Sequence, residues 1–285
     1  MNNLNKRLEL QHYIGGSDAG YLIMERVGRG GMSAVYKARS QSTGNVVALK
    51  ALLPRDEIFV ELVGWDRLKE IFLEEAHIIR SISHEHIVKI VELDDSGQFP
   101  YIVLDYYPRS LGSVVLDSTR TEVTASMCLS KVYGYICQAL HGLERLHRSG
   151  IVHRDIKPYN LMISADDVIK IIDFGLCTVD GEEKIAVPGM QVGSPYYTAP
   201  EQVRNPVKAD ERSDLFSLGV TIYRLLTGRL VNWKTMPKSP PSEFNGQLDA
   251  DWDAFLLKSI ARDVSSRFQS ASEMREHLEA LSSKR

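Results

Sequence analysis

The chain of 285 residues is poor in cysteine. Its three, Cys128, Cys137 and Cys177, are too few and too irregularly spaced for a zinc cluster or a disulfide framework. Reduced thiols, as in the cytoplasm, are the expectation. Long apolar runs are missing too: no stretch could cross a bilayer, and residues 1–20 are polar, without the apolar core of a signal peptide. The reading is therefore a cytoplasmic protein with no membrane segment. Nor does charge of one sign dominate. Lys and Arg number 34 against 37 Asp and Glu, and a net charge of −3 argues against a strongly electrostatic nucleic-acid binder. Internal repeats and low-complexity tracts are absent. What remains is an ordinary apolar content of 44% in a chain long enough to bury a large core, as one big domain or two lobes.

The stretch 153–175 carries the chemistry. It reads His153-Arg154-Asp155-Ile156-Lys157-Pro158-Tyr159-Asn160, then apolar Leu161-Met162-Ile163, a polar turn over 164–167, a strand-like run over 168–172, and Asp173-Phe174-Gly175. Two acids and an amide thus sit on loops bracketing a short β-hairpin, which aims acceptors at one point. Asp155 can take a proton, and Asn160 and Asp173 offer the hard oxygens that Mg²⁺ prefers. For any single residue an Asp- or Asn-rich turn is the simpler explanation. The ordered pattern H-R-D-x-x-x-x-N followed by D-F-G makes chance a poor one.

The chain before that stretch is mostly strand-like. Residues 1–20 read as an extension before the fold, with a short helix over 4–12. Strands are expected over 21–27 and 46–50, separated by the glycine cluster Gly28-Arg29-Gly30-Gly31-Met32-Ser33-Ala34-Val35-Tyr36. Such a turn lets backbone N–H groups approach an anion, and a dinucleotide fold is excluded because Val35 onward is β-branched where that fold needs a helix. Residues 66–83 form an amphipathic helix with Leu68, Phe72, Ile79 and Ile82 on one stripe and Glu75 in its gap. An inward carboxylate needs a cation, and Lys50, embedded in an apolar strand, is the candidate. An antiparallel pair over 87–93 and 101–106 completes a small lobe of five strands and one helix. Beyond residue 107 the pattern turns helical, with helices over 126–147, 214–226 and 272–281; the second is apolar nearly all round and so buried.

Taken together, these residues resemble the protein kinase superfamily, most closely the bacterial Hanks-type Ser/Thr kinases. The resemblance covers about residues 21–281 and rests on the glycine loop, Val47-Ala48-Leu49-Lys50, Glu75, residues 153–160, Asp173-Phe174-Gly175, Ala199-Pro200-Glu201, Asp214 and Arg267. It implies an α+β, bilobal protein-kinase fold over 21–283. A small antiparallel β-rich lobe with one regulatory helix would run to about 106 and a larger, mainly helical lobe from 107, with ATP in the cleft. It implies that Val27, Gly28, Arg29, Gly30, Gly31, Met32, Ser33 and Val35 cover the phosphates, and that Lys50, aligned by Glu75, holds the α- and β-phosphates. Asp155 receives or orients the substrate hydroxyl, while Asn160 and Asp173 hold Mg²⁺. Adenine would lie between Val35 and Ala48 on one side and Met162 on the other, bonded to backbone groups of Asp105 and Tyr107, with Leu104 controlling the back pocket. Lys157 and Ser194 follow the Ser/Thr-kinase pattern. Glu201 is expected to pair with Arg267, and Asp214 to hold the backbone at 153–155. The implied partners are ATP and protein substrates bearing Ser or Thr, including the chain itself. A nucleotide-binding pseudokinase or scaffold and a small-molecule kinase are the alternatives.

Several features depart from the family pattern. Ser33 replaces a third loop glycine. The connection from Lys50 to Glu75 is long, so 56–65 is expected to add a turn or helix. The helix usual within 228–248 is expected to be trimmed. The stretch 179–192 lacks any Ser or Thr, so switching is not expected to depend on a phosphate there. Asp180, Glu182 or Glu183 would neutralise Arg154 instead.

Overall fold

A computed structural model describes residues 13–15, 20–97, 99–115, 125–179, 194, 196–206, 209–231 and 240–282. The chain divides into two compact units. One holds the described residues through Ser83 together with Val88–Tyr107; the other holds His84–Ile87 and the described residues from Pro108 onward.

The first unit is β-rich: β1 (Tyr13–Ile14), β2 (Tyr21–Arg29), β3 (Ser33–Ser40), β4 (Val46–Leu52), α1 (Glu57–Val63), α2 (Trp65–Arg80), β5 (Ile90–Asp94) and β6 (Tyr101–Asp105). Its six strands form one antiparallel sheet in the order β1-β2-β3-β4-β6-β5. Alternation along β3 and β4 sends Ala34, Tyr36, Ala38, Val47, Leu49 and Ala51 into a buried cluster. The other face, with Met32, Leu52 and Ile102, packs against Leu68, Ile71, Phe72 and Ala76 of α2. The expected inner stripe is present in α2, and Glu75 lies within it, 2% exposed.

This unit departs from the sequence reading at β1 and at Ile87, and it carries the added element expected over 56–65. Tyr13–Ile14 lies inside the stretch read as an extension, yet it pairs with Leu22 and Tyr21 at the sheet edge. The long connection after β4 is the separate helix α1, started by the Asp56 carboxylate accepting from the Phe59 N–H and ended at Gly64, φ 85°. Ile87 is not the start of a strand. It bridges Ile171, and β5 begins at Ile90. The helix expected over 4–12 lies outside the described residues.

The second unit is mainly helical: β7 (Arg109–Ser110), α3 (Leu111–Val115), α4 (Leu129–His147), β8 (Ile151–Val152), β9 (Leu161–Ile163), β10 (Ile169–Ile171), β11 (Thr178–Val179), α5 (Pro200–Arg204), α6 (Glu211–Thr227), α7 (Ala250–Ser259) and α8 (Ala271–Ser282). The residues from Ser213 to Thr227 of α6 are all buried, as its all-round apolar pattern requires. α4 packs on α6 and α8. β9 and β10 form the expected hairpin, turning at Ser164–Asp167 with Asp167 at φ 62°, and β7 extends it. Helices α3, α5 and α7 were not anticipated. Within 228–248, only the single turn Pro241–Glu243 is helical among the described residues; residues 232–239 fall outside them.

Candidate active site

In the β-rich unit β2 and β3 meet at the glycine turn. Gly28 pairs with Val35 and Arg29 with Ala34, and the Gly30 N–H closes the turn on the Ser33 carbonyl at 2.8 Å. The turn is tied down from the α1 side: the Arg55 N–H donates to the Gly31 carbonyl at 2.8 Å, and the Arg29 guanidinium to the Pro54 carbonyl at 3.1 Å. Val27, Arg29, Gly30 and Gly31 are exposed, and Gly28 and Val35 are half-buried. Met32 differs. Its side chain is buried in the cluster under α2, so only its backbone is left to meet a ligand. Ser33 is likewise buried.

Lys50 stands on β4 opposite Val35 and Ile102. Its ammonium donates to both oxygens of Glu75, at 2.6 and 2.8 Å, and both side chains are buried. The strand register and the helix period thus bring together two charges that neither element could bury alone. Ala48, two residues back, is half-buried and pairs with Lys37 and Leu104; Asp105 is opposite Val47. Tyr107 follows, half-buried, its hydroxyl 3.5 Å from the Asp105 carboxylate; burial and then that carboxylate push its pKa up.

In the helical unit the loop 153–160 is held by one buried side chain. Asp214, fully buried in the first turn of α6, accepts the His153 N–H at 2.8 Å, the Arg154 N–H at 2.7 Å and His147 Nε2 at 2.9 Å. Burial alone would raise its pKa; the His147 hydrogen bond and charge, with the backbone donor, outweigh it and hold the carboxyl below its ordinary value. Arg154 takes a left-handed backbone, φ 67°. Its carbonyl accepts from Gln202 at 2.8 Å, and its buried guanidinium donates to the Pro206 carbonyl. Burial depresses that guanidinium's pKa. Residues 180–183, expected to neutralise it, lie outside the described residues.

Three side chains meet at Asp155. Lys157 donates to Oδ2 at 2.6 Å, the Asn160 amide to Oδ2 at 3.0 Å and to the backbone carbonyl at 2.8 Å, and the Ser194 hydroxyl to Oδ1 at 3.1 Å. Lys157 also reaches Ser194 Oγ at 3.0 Å. With its nitrogen turned to Asp155, Asn160 keeps its carbonyl oxygen for another partner. The Ile172 N–H donates to the Asn160 backbone carbonyl at 3.0 Å, a tie across the hairpin base one residue before Asp173. Asp173 is exposed and also left-handed, φ 67°, while Phe174 is buried with its ring edge-on to His153, centroids 5.0 Å apart. Two non-glycine residues in this region, one in each loop, are backbone strain held by surrounding contacts, a pattern that concentrates at functional sites. Met162 is half-buried on β9 opposite Lys170.

Among the described residues no three His, Cys, Asp or Glu side chains converge as a metal site. The Asn160 oxygen and the Asp173 carboxylate nonetheless fit Mg²⁺, which is held by one or two protein oxygens and completes its shell from phosphates and water.

Behind the loop, Glu201 and Arg267 form a two-pronged pair at 2.7 and 2.8 Å, with the Ser213 hydroxyl on Glu201 and the guanidinium over the Phe216 ring. Burial opposes the Glu201 charge, but Arg267 holds its pKa down. The Ser217 hydroxyl donates to the Tyr197 carbonyl, fixing the segment after Ser194 to α6. Sequence reasoning gave no positioning role to His147 or Gln202. The only signal for His147 is its place at the end of the α4 stripe; Gln202 gave none.

The sequence that builds this site has relatives among known proteins. Residues 21–278 match the protein kinase domain family. A probable serine/threonine-protein kinase of Clostridium acetobutylicum is 31% identical over 273 residues, 90% of this chain and 39% of that protein. The serine/threonine-protein kinase PknB of Mycobacterium tuberculosis is 34% identical over 278 residues, 90% of this chain and 42% of PknB. A probable serine/threonine-protein kinase of Streptomyces coelicolor is 34% identical over 89% of this chain and 38% of its own length. The chain thus spans about two-fifths of the length of these curated relatives. It belongs to the protein kinase family.

Proposed function

We propose that residues 21–283 form a protein kinase domain that transfers the γ-phosphate of ATP, with Mg²⁺, to Ser and Thr hydroxyls of protein substrates in the cytoplasm, the chain itself among them. The observation that carries this reading is the network on Asp155, in which a lysine, an amide and a serine fix one carboxylate beside the hairpin that bears Asp173. Phosphoryl transfer needs positioning and charge neutralisation more than covalent chemistry, and this constellation provides both.

Under this reading Asp155 accepts or orients the proton of the attacking hydroxyl, and Lys157 lies within reach of the transferred group. Ser194 sets the acid's rotamer. Lys50, aligned by Glu75, holds the α- and β-phosphates. The backbone from Val27 to Val35, including Gly28, Arg29, Gly30, Gly31, Met32 and Ser33, covers them. Val35, Ala48 and Met162 contact adenine, which bonds to the backbone of Asp105 and Tyr107. Asn160 and Asp173 would hold Mg²⁺, which neutralises charge on the phosphate oxygens when bound. A pseudokinase would need at least one of these positions emptied, and each is filled.

The test is transfer from radiolabelled ATP·Mg²⁺ to generic proteins and to the chain, with phosphoamino-acid analysis. Phosphoserine or phosphothreonine is expected. Absence of transfer, or phosphotyrosine alone, would sink the reading.

A further inference from the structure

Beside the Asp214 anchor, the helical unit holds a cavity of about 420 Å³ that the transfer reading leaves unused. It lies between the end of α4, β8 and the first turn of α6, and both His147 and Glu211 line it. The His147 side chain is only 4% exposed. Its Nε2 stands 2.9 Å from Asp214, whose two oxygens already accept the His153 and Arg154 N–H groups. An acceptor so engaged leaves Nε2 as the donor, and in the neutral ring Nδ1 is then a bare lone pair. That nitrogen is buried without a hydrogen-bond partner. It faces the Glu211 carboxylate, with Oε2 3.8 Å away. A protonated ring would aim an N–H at the same oxygen, but 3.8 Å is too long for a hydrogen bond.

Two acceptors that face each other call for a cation between them. Asp210 at the N-cap of α6, with Glu211 and Asp214 in its first turn, outweighs the roughly half positive charge of a helix N-terminus. The Arg212 guanidinium is committed to Asp210 and Gln269. The Glu211 side chain is 40% exposed, so it can turn aside to admit an ion and close on it. A metal–nitrogen bond of about 2.0–2.1 Å and a metal–oxygen bond of about 2.0–2.2 Å put the two atoms about 3.4 Å apart at the tetrahedral angle. Glu211 then has to close by only a few tenths of an ångström. An imidazole paired with a carboxylate suits Zn²⁺ and its neighbours. A metal-bound histidine almost always gives its other N–H to a carboxylate, as His147 gives its own to Asp214.

We propose that His147 Nδ1 and the Glu211 carboxylate together bind a divalent transition-metal ion of the Zn²⁺ class, with water from the cavity completing its shell. An ion there makes Nε2–H a stronger donor to Asp214 and so tightens the anchor of the loop 153–160. The site goes beyond the kinase reading and stands without it.

The test titrates Zn²⁺ into the full, nucleotide-free chain in excess Mg²⁺, for which imidazole is a poor ligand, and follows the heat of binding and thermal melting. One ion per chain and a rise in Tm are expected, since the ion binds the folded chain. Glu211→Gln should stay folded, as an exposed side chain allows, and weaken binding by about tenfold or more. His84→Gln should bind as the wild type does, because the rings of His84, His86 and His141 form a separate cluster of imidazoles. Absence of binding, an unchanged affinity in folded Glu211→Gln, or loss of the ion in His84→Gln would overturn the proposal.

Discussion

The two units present their candidate residues in different ways. In the β-rich unit regular structure does the placing: β4 register sets Lys50 opposite Val35 and Ile102, and the period of α2 turns Glu75 toward it. In the helical unit the residues lie on loops with no repeat to define them. There a single carboxylate, Asp214, fixes two consecutive N–H groups, and Arg154 and Asp173 hold left-handed backbones. A side chain placed by a sheet and a helix has many supports. One placed by a loop depends on a few distant residues, so its geometry is the easier to lose.

The largest expected effect breaks the loop cluster at its centre. Asp155→Asn removes the proton acceptor while keeping its shape, and turnover should fall by at least about 10²–10⁴-fold, typical of a positioned base. ATP affinity, measured by equilibrium binding, should be nearly unchanged. Rates near wild type would refute the assignment of this residue.

Next comes the regular half. Lys50→Met leaves the Glu75 carboxylate buried without this partner, and breaking such a pair costs roughly 3–5 kcal/mol. Urea unfolding should show that loss, along with almost no transfer. Lys50→Met with Glu75→Leu should recover much of the stability and none of the activity, because the pair's removal is then complete. If the double variant is no more stable than the single one, the pair is not the source of the loss.

This contrast also describes what could be read in advance. Glu75 was legible as the polar member of an apolar stripe, Lys50 as a cation inside an apolar strand, and the β9–β10 hairpin as two short runs around a polar turn. The loops could be named by motif but not drawn. Nothing in the letters gives Arg154 or Asp173 a positive φ, or shows that Gln202 caps the Arg154 carbonyl, since these follow from contacts distant in sequence. α7 was missed although its signals were present: Asp249 accepts from the Trp252 N–H, Asp251 and Asp253 lie in its first turn, and Trp252, Phe255 and Leu256 are buried. α3 and α5, at five residues each, are too short for a periodic pattern to emerge.

Asp214→Asn probes how far the loop depends on its remote support. An amide can accept with one atom only, so its nitrogen would face either the Arg154 N–H or both the His153 N–H and His147, and at least one buried donor would lose its partner. Misplacement of the loop should reduce kcat by about 10²-fold with little change in KM for ATP. The corresponding dependence in the β-rich unit has no single residue to remove. An Asp214→Asn enzyme with full kcat would show that the loop holds its shape by other contacts.

Acid should act on the helical unit through His84 and His86, whose rings lie 5.5 Å apart, with His141 beyond His86. Burial is the first cause that lowers both pKa values; at His84 the His86 and His141 rings and then Arg145 add to it against Glu85, while at His86 the Ile169 carbonyl and Glu85 oppose it and His141 and Lys170 add to it. The folded state therefore favours the neutral rings. Stability should be complete above about 6.5, the ordinary value for histidine, and decline as the pH falls below it toward the depressed folded values. His84→Gln should flatten that decline in urea titrations. An identical slope in the variant would exclude His84 as a contributor.

The smallest effect sharpens the comparison from the other side. Ser33 is buried at the start of β3 directly after the glycine turn, whose Gly30 N–H bonds the Ser33 carbonyl. That bond and the pairing of β3 with β4 involve backbone alone, so Ser33→Gly keeps both. The added glycine increases the freedom of the unfolded chain and loosens the turn, at a cost of roughly 0.5–1 kcal/mol. ATP binding should persist, with KM altered by less than about tenfold, as a change below about 1.4 kcal/mol requires. A larger change would mean that the serine side chain, and not the strand register, holds the turn in place, and the β-rich half would then share the fragility of the loops.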